Sequence, residues 1–238
     1  MSGRFLANLL KYVELSAAEQ EVVEGLVAQR RSLPAGAEVF REGEASSDCR
    51  LLLDGQAFRH KNLSDGRRQI LSFHVPGDLL DLQRAFQGME YSATTLTPCE
   101  IGLAPRTALL AAMGAHPKIA HGLWRLSLME SAIYREWMVG MGRRTAYARI
   151  AHLLCEQVTR LKTAGLMQGE RARFPATQAH LADSLGLSVV HTNRVLQALR
   201  AEGLVELRGR ELVVLDWKGL CAAGEFDSAY LNLGRRAA

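Results

Sequence analysis

Residues 177–199 carry side chains whose types and spacing suit hydrogen bonding to a nucleic acid. Leu181 and Leu185 lie four residues apart on a predicted short helix that Gly186 ends, and Ser188 is a favourable N-cap for a second helix. On the second helix, four residues are predicted to face the protein interior: Thr192, Val195, Leu196 and Leu199. It leaves five residues facing outward: Val189, Val190, Asn193, Arg194 and Gln197. Two short helices joined by a glycine-containing turn are typical of a helix-turn-helix, with a generic helical hairpin as the alternative.

A basic hairpin is predicted directly after these helices. Residues 203–207 and 211–215 have the composition of two strands, and Arg208-Gly209-Arg210 forms the turn between them. A positively charged tip beside a helix-turn-helix is suited to contact phosphates, as the wing of a winged helix does. The net charge of +4 permits a nucleic-acid partner but does not demonstrate one.

The composition is that of an ordinary globular protein. The 238 residues are 48% hydrophobic and 23% charged, which is enough for one large domain or two modest ones. No apolar run approaches the roughly 20 residues that cross a bilayer. Residues 1–11 contain too short an apolar stretch for a secretory signal. We therefore expect a cytoplasmic protein with no membrane partner.

The sequence predicts neither a metal centre nor an enzyme active site. Cys49, Cys99, Cys155 and Cys221 are dispersed and form no CxxC pair, which argues against a zinc finger, an iron–sulfur cluster or a disulfide scaffold. No nucleophile occurs in a motif with a base and an orienting group. We expect no cofactor and no catalytic residue.

Residues 33–103 predict the antiparallel β part of an α+β fold. Short apolar runs there, among them residues 51–53 and 70–73, alternate with glycine turns at spacings near ten residues. Ser64-Asp65-Gly66 is typical of a hairpin turn because glycine readily takes the positive φ that tight hairpins need. Before this part, the capping-box spacing of Ser16 and Glu19 predicts a helix over residues 16–30.

A long helix is predicted from Pro117 onward. Six residues recur on it at alternating steps of four and three: Ile119, Leu123, Leu126, Glu130, Ile133 and Trp137. This is the period of a coiled coil and favours a seam between two copies of the helix; the alternative is a helix packed on its own β domain. Gly140 and Gly142 are expected to interrupt the helix and to form a joint, with another helix from about Thr145.

Together these segments resemble the Crp/Fnr family of transcriptional regulators over nearly the full chain. In the first part, the residues that carry the resemblance are Gly43, residues 51–55 (LLLDG), residues 68–73 (RQILSF) and residues 76–79 (PGDL). In the second part, they are residues 149–151 (RIA), 177–178 (TQ), 185–188 (LGLS) and 193–196 (NRVL). The resemblance implies an antiparallel, jelly-roll-like β-roll sensor domain over 1–115, a long dimerisation helix and hinge over 116–142, and a C-terminal winged helix-turn-helix over 143–238.

The resemblance also implies a homodimer that binds a palindromic site in double-stranded DNA and acts with RNA polymerase. The family's base-reading positions fall on Val189, Val190, Asn193 and Arg194. Arg194 suits the O6 and N7 acceptors of guanine, Asn193 suits adenine, and the valines suit thymine methyl groups. Val190 stands where many members have glutamate, so the DNA site should differ from the family's best-known half-sites. Four further residues are placed for phosphates: Thr177, Gln178, Ser188 and His191.

The family's cyclic-AMP site is incomplete in this sequence. The resemblance places Gly77-Asp78-Leu79 where cyclic-AMP binders have glycine-glutamate-leucine, and Tyr91-Ser92 where they have arginine-serine. Without that arginine a buried phosphate lacks a cation, and Arg84 is interpreted as a solvated surface residue. The candidate pocket residues are Gly77, Asp78, Leu79, Leu80, Tyr91, Ser92 and Tyr134.

The signal that controls the protein has several possible forms. An ungated regulator, a cyclic-AMP-gated regulator and a thiol-redox-gated regulator are alternatives, as is a nucleotide-binding module that acts on a protein partner. His74 and Cys99, the residues that haem ligation would need, and Cys155 are interpreted as structural residues. The sequence identifies no small-molecule effector.

Overall fold

The computed structural model describes residues 3–232, which form two compact units. The first unit comprises residues 3–61, 72–131 and 232, and the second comprises residues 62–71 and 132–231. The domain limits 1–115, 116–142 and 143–238 stay a prediction, because the contacts divide the chain within one long helix instead of at its ends.

Seven antiparallel strands between residues 29 and 105 form two sheets. They are β1 (Gln29–Leu33), β2 (Glu38–Phe40), β3 (Asp48–Asp54), β4 (Ala57–Asn62), β5 (Arg68–His74), β6 (Ser92–Thr95) and β7 (Cys99–Pro105). The strand orders are β1-β7-β3 and β2-β6-β4-β5. Phe40, Leu52, Phe58 and Ile101 are at most 1% exposed and belong to the core of the first unit. The antiparallel β-roll of the predicted α+β fold is confirmed.

The hairpin turn at Gly66 and the helix cap at Ser16 form where the sequence predicts them. Gly66 has a φ of +84°, and the amide of Leu63 donates to the carbonyl of Arg67 across the β4–β5 hairpin (2.7 Å). Ser16 caps helix α2 (Ala17–Gly25), and the Glu19 carboxylate accepts from the Ser16 amide at 2.7 Å. Helix α2 is preceded by α1 (Gly3–Leu9).

The predicted end of α2 at residue 30 is wrong. The helix ends at Gly25, and the chain enters strand β1 at Gln29, opposite Leu103 of β7. Pairing with a distant strand therefore determines where the helix ends, and no local signal in residues 26–30 reports that pairing.

The helices that follow the sheets are α3 (Arg106–Ala115) and α4 (Pro117–Arg143). Pro117 begins α4, where its missing amide hydrogen is not needed. The predicted interruption at Gly140 and Gly142 is wrong, because α4 continues to Arg143. Glycine costs only about 1 kcal/mol relative to alanine inside a helix, which packing can offset.

The second unit contains the remaining elements. They are α5 (Ala146–Thr163), β8 (Met167–Gln168), β9 (Arg171–Arg173), α6 (Gln178–Leu185), α7 (Val189–Ala201), β10 (Val205–Arg208), β11 (Glu211–Val214) and α8 (Trp217–Ala223). A short 3-10 helix follows at Ser228–Leu231. The strands form one antiparallel sheet in the order β10-β11-β9-β8. Helix-turn-helix and wing are thus formed as predicted. Among residues 3–232, no helix combines the length and apolar character that crossing a membrane requires.

Alanine at Gly224 should destabilise the second unit. A Cβ there would lie 2.6 Å from the backbone nitrogen of His152, so α8 and α5 would have to separate. We expect Gly224→Ala to lower the free energy of unfolding by roughly 1–3 kcal/mol, as measured by urea denaturation. Gly142→Ala is the matched control: its Cβ meets nothing within 4 Å, and we expect a gain of up to about 1 kcal/mol. Equal effects of the two substitutions would contradict the close approach of α5 and α8.

Candidate functional site

Helix α7 presents one apolar and one accessible side. Thr192, Val195, Leu196 and Leu199 are buried, as predicted from their spacing. On the accessible side Val189 and Val190 are 48% and 63% exposed. Arg194 and His191 are exposed, and Asn193 is half-buried. The first two turns of α7 therefore offer apolar and hydrogen-bonding groups to a ligand outside the unit.

An amide–amide hydrogen bond joins the two helices of the motif. Asn193 Nδ2 donates to Gln178 Oε1 at 2.8 Å, so the first residue of α6 orients a residue of α7. Asparagine has two amide hydrogens and one acceptor oxygen. The bond to Gln178 uses one hydrogen, which is compatible with a bidentate pair between Asn193 and adenine.

The helix N-termini place Thr177 and Ser188 at sites suited to anions. Thr177 caps α6 and accepts from the His180 amide, and Ser188 caps α7 and accepts from the His191 amide, both at 3.2 Å. Free amides and the helix dipole favour phosphate at such ends. The His180 ring accepts from the Thr177 amide at 3.2 Å, and burial lowers the pKa of His180, which favours the neutral ring.

A groove of about 290 Å³ lies between α6, α7 and the wing. Thr177, Gln178 and Asn193 line it from the helices, and Arg208 and Arg210 line it from the wing. Arg210 has a φ of +72°, next to Gly209 at +58°, so the turn that the sequence predicts is tight. The groove brings together hydrogen-bonding groups and positive charge from segments some 30 residues apart.

Three side chains, whose contacts the sequence does not reveal, hold α6 at its C-terminal end. The Arg68 guanidinium donates to Asp183 Oδ2 at 2.7 and 3.0 Å, and Gln69 Nε2 donates to the carbonyl of Ser184 at 3.2 Å. Arg149 Nη1 donates to the carbonyl of Leu185 at 3.0 Å. Arg68, Gln69 and Arg149 belong to the motifs that carry the family resemblance. The sequence does not indicate which residues they contact, because each partner lies more than 30 residues away.

The predicted pocket residues of the first unit are engaged in their own loops and strands. Asp78 accepts from the Val75 amide (3.1 Å) and contacts His74 Nδ1 (3.0 Å). Ser92 Oγ accepts from the Glu42 amide at 2.9 Å. A Cβ on Gly77 would lie 2.7 Å from the Arg4 carbonyl oxygen, so α1 closes directly over this turn.

Arg59 occupies the space between the other pocket residues. Its side chain is 2% exposed, and its guanidinium donates to the carbonyls of Leu80 (2.8 Å) and Leu79 (2.9 Å). The guanidinium lies 5.1 Å from the centre of the Tyr91 ring, and it pairs with Glu130 of α4 at 3.1 Å. The sequence gives one weak signal of this arrangement, the single acid Glu130 in an otherwise apolar helix face.

The cavity that borders Glu130, the partner of Arg59, is small. Between the Leu82–Ala85 turn and α4 lies a cavity of about 20 Å³, bordered by Asn8, Asp78 and Glu130 among others. That volume holds about one water molecule and is far below the several hundred Å³ of typical small-molecule pockets. Tyr134, the remaining predicted pocket residue, is half-buried on the part of α4 that belongs to the second unit.

The interpretation of Arg84 as a surface residue is wrong. Arg84 is 5% exposed, its Nε contacts Asp81 Oδ2 at 3.0 Å, and its Nη1 donates to the Glu44 carbonyl at 2.7 Å. Asp81 is fully buried and also pairs with Arg50 at 3.0 Å. The charge of Arg84 is thus directed at Asp81, which leaves it unsuited to replace the missing phosphate-binding arginine.

His74 and Cys99 do not form a haem-ligand pair. Both ring nitrogens of His74 have partners, Ser72 at 2.8 Å and Asp78 at 3.0 Å, and burial lowers the pKa of His74. The thiol of Cys99 lies 3.3 Å from the carbonyl of Gln56. Among the described residues 3–232, no group of three His, Cys, Asp or Glu side chains is arranged to hold a metal ion.

Two known domain families match the β-roll part and the helix-turn-helix part of this chain. Residues 30–116 match the cyclic nucleotide-binding domain, and residues 148–223 match the Crp-like helix-turn-helix domain. A protein of Rhizobium leguminosarum bv. viciae named "Probable transcriptional activator" is 31% identical over 195 residues, which cover 79% of this chain and 78% of that protein. This chain belongs to the Crp/Fnr family.

Further Crp/Fnr proteins are similar over most of their length. The transcriptional activator protein FnrA of Stutzerimonas stutzeri is 28% identical over 91% of this chain and 89% of its own. The structure of FixK2 from Bradyrhizobium japonicum superposes with a TM-score of 0.76 at 28% identity, covering 83% of this chain and 98% of that chain. Like these relatives, the present Crp/Fnr protein is a DNA-binding transcription regulator.

The helix seam of this Crp/Fnr protein faces its own chain. Ile119, Leu123, Leu126, Ile133 and Trp137 are between 0% and 8% exposed, and the sixth member, Glu130, binds Arg59. Trp137 Nε1 also donates to the buried Glu156 carboxylate at 2.9 Å. These six positions fit the alternative derived from the sequence, in which the helix packs within its own protomer. The predicted seam with a twin helix stays a prediction.

Removing the Arg59 guanidinium should destabilise the first unit strongly. Arg59→Leu leaves two backbone carbonyls and Glu130 without their buried donor. We expect a loss of about 3 kcal/mol in unfolding free energy, measured by urea denaturation. Adding Glu130→Gln to this variant should recover part of the loss, because the unpaired charge is then removed. Additive effects of the two substitutions would contradict a direct pair.

Proposed function

We propose that this Crp/Fnr regulator is a homodimer that binds a palindromic DNA site through α7 without any bound effector. The observation that carries the proposal is the Arg59–Glu130 pair in the space where the resemblance predicts a ligand pocket. The pair supplies from within the chain a contact between the β-roll and the first part of α4. The cavity that borders Glu130 has a volume of about 20 Å³.

Exposed residues of α7 support direct reading of bases in the major groove. Arg194 offers a planar donor pair for guanine, and Asn193, oriented by Gln178, offers a donor and an acceptor for adenine. Val189 and Val190 are suited to thymine methyl groups and unsuited to cytosine, which donates a hydrogen bond. Thr177, Gln178, Ser188 and His191, with Arg208 and Arg210 of the wing, are suited to phosphates.

A second face of α4 supports dimerisation. Trp124, Leu128 and Met138 are 65%, 48% and 69% exposed, and steps of four and ten residues place them on one side of the helix. Exposed apolar side chains arranged in this way mark a protein–protein interface. Trp124 and Leu128 belong to the first unit and Met138 to the second. The seam of the dimer is thus offset around α4 from the one that the sequence predicts.

The proposal also includes an activating role in transcription, a cytoplasmic location and no catalytic activity. Relatives named transcriptional activators, among them FnrA, support an activating role in which RNA polymerase is the partner. A DNA-binding regulator acts in the cytoplasm, where bacterial DNA lies. The contacts of the described cavities and charged clusters support binding and packing, and no catalytic activity is proposed.

Arg194→Ala should abolish sequence preference at the base pair that Arg194 reads while leaving nonspecific DNA binding. Fragments of the source genome are first selected with the wild-type protein, and affinity is then measured by fluorescence anisotropy for the selected and a scrambled site. Loss of a bidentate arginine–guanine contact is worth about 1–3 kcal/mol, a factor of roughly 5–150 per half-site. Arg31→Ala, at an exposed position of β1, is the control and should behave as wild type. Retained preference in Arg194→Ala would refute the assignment.

The same assay, repeated with cyclic AMP, tests whether DNA binding depends on this effector. The wild-type protein should select the same fragments with equal affinity in the absence and presence of the nucleotide. Isothermal titration should detect no binding of cyclic AMP. Selection that requires the nucleotide would overturn the interpretation of Arg59.

Charge on the exposed face of α4 should produce monomers. Trp124→Glu would bury a carboxylate in the proposed interface, so sedimentation should show a mass of 26.2 kDa instead of twice that value. Phe86→Glu is the matched control, since Phe86 is 60% exposed and lies outside α4. A dimer that persists in Trp124→Glu, or dissociates equally in Phe86→Glu, would contradict this face.

A further inference from the structure

Two cysteines that are distant in the sequence meet in the second unit. Cys155 of α5 and Cys221 of α8 are 66 residues apart, and their sulfur atoms lie 4.0 Å from each other. Cys155 is completely buried, whereas Cys221 is half-buried. The Cys155 thiol donates toward the sulfur of Cys221. A disulfide needs a sulfur–sulfur distance near 2.05 Å, so an approach of about 2 Å separates the pair from a covalent bond.

We propose that Cys155 and Cys221 form a reversible disulfide that fastens α8 to α5 under oxidising conditions. The half-buried Cys221 gives an oxidant access to the pair, and Cys155 is positioned to complete the bond from the interior. The inference concerns the second unit alone and does not depend on how the β-roll is controlled.

The packing around the pair allows the small movement that the bond requires. Helices α5 and α8 already touch through their backbones near Gly224 and His152, where even a Cβ would collide. The segment after α8 is anchored to the same helix, because Tyr230 donates to Glu156 at 2.9 Å and contacts His152 Nε2 at 3.2 Å. Closure therefore fastens two helices that are already held together by contacts C-terminal to Cys221.

Thiol–disulfide exchange with a glutathione-type disulfide gives a balanced reaction. Cys221 loses its proton to solvent, and its sulfur attacks one sulfur of the oxidant, which releases one glutathione thiolate. Cys155 then loses its proton and attacks the Cys221 sulfur of the mixed disulfide, which releases the second glutathione. The two protein thiols are oxidised to one disulfide, and one glutathione disulfide is reduced to two thiols. Since burial raises the pKa of both cysteines, the exchange is slow at neutral pH.

The bond would enclose the whole DNA-binding motif in a covalent loop. The 66-residue loop contains α6, α7 and the β10–β11 wing, so the cross-link restricts the unfolded chain and stabilises the folded unit. Neither cysteine is among the groups proposed to contact DNA. We therefore expect a rise in the melting temperature of roughly 5–15 °C and less than about a threefold change in DNA affinity.

The experiment counts thiols on the full-length protein. Native protein is incubated with glutathione disulfide at pH 8, free thiols are blocked with iodoacetamide under denaturing conditions, and the intact mass is measured. We expect two blocked cysteines instead of four, and a tryptic cross-link between residues 150–160 and 219–235. Dithiothreitol should restore four thiols and the lower melting temperature.

Matched variants separate the pair from the other thiols. Cys221→Ser, at the half-buried position, should abolish the cross-link and the thermal shift, whereas Cys49→Ser in the β-roll should leave both unchanged. The proposal is overturned if native protein keeps four free thiols. It is equally overturned if the cross-link forms only in denaturant, or if Cys49 or Cys99 is consumed instead. These readouts need no DNA, so they fail or succeed separately from the proposed regulator function.

Discussion

The buried guanidinium of Arg59 is the interaction on which the arrangement of the first unit depends. A charge removed from water is tolerated only where hydrogen bonds and an opposite charge replace the lost hydration. Arg59 has two backbone carbonyls, the face of Tyr91 and the carboxylate of Glu130 within reach. These partners lie in three separate segments of the chain. A single side chain therefore fixes the positions of β4, the loop after β5 and the first part of α4 together.

Burial of a second ionic cluster, at Asp81 next to the Arg59 site, follows the same rule. Asp81 is fully buried because Arg50 and Arg84 both reach it, and each guanidinium also lies about 5 Å from the Phe40 ring. The positive charges that a nucleotide phosphate would need are thus already neutralised by protein groups. The cavity that borders Glu130 is likewise only about the size of one water molecule.

Local signals in the sequence predicted much of this fold and of the DNA-facing site. The capping box at Ser16, the glycine turns and the pair of short helices around Gly186 were all recognisable because each depends on residues within about four positions. Glu130, Asp183 and Cys221 lie 66 to 115 residues from their respective partners Arg59, Arg68 and Cys155, and no spacing rule connects such positions. The seam of α4 illustrates the limit: the period correctly identified the covered side of the helix, but periodicity cannot tell which molecule covers it. The predicted end of α2 was wrong for a related reason, since the pairing of β1 with β7 decides where the helix ends.

The buried Arg59–Glu130 pair has a consequence for control in the cell if the protein acts without a bound effector, as we propose. A diffusible effector changes its occupancy with its concentration, whereas Arg59 is part of the chain and is present at a constant effective concentration. In the proposed effector-free protein, no metabolite concentration sets the state of the β-roll. Control then passes to the amount of protein, that is, to its synthesis and its degradation. If the active species is a dimer in equilibrium with monomers, its abundance at low levels rises with the square of the protein concentration, so a modest change in synthesis produces a steep change in operator occupancy.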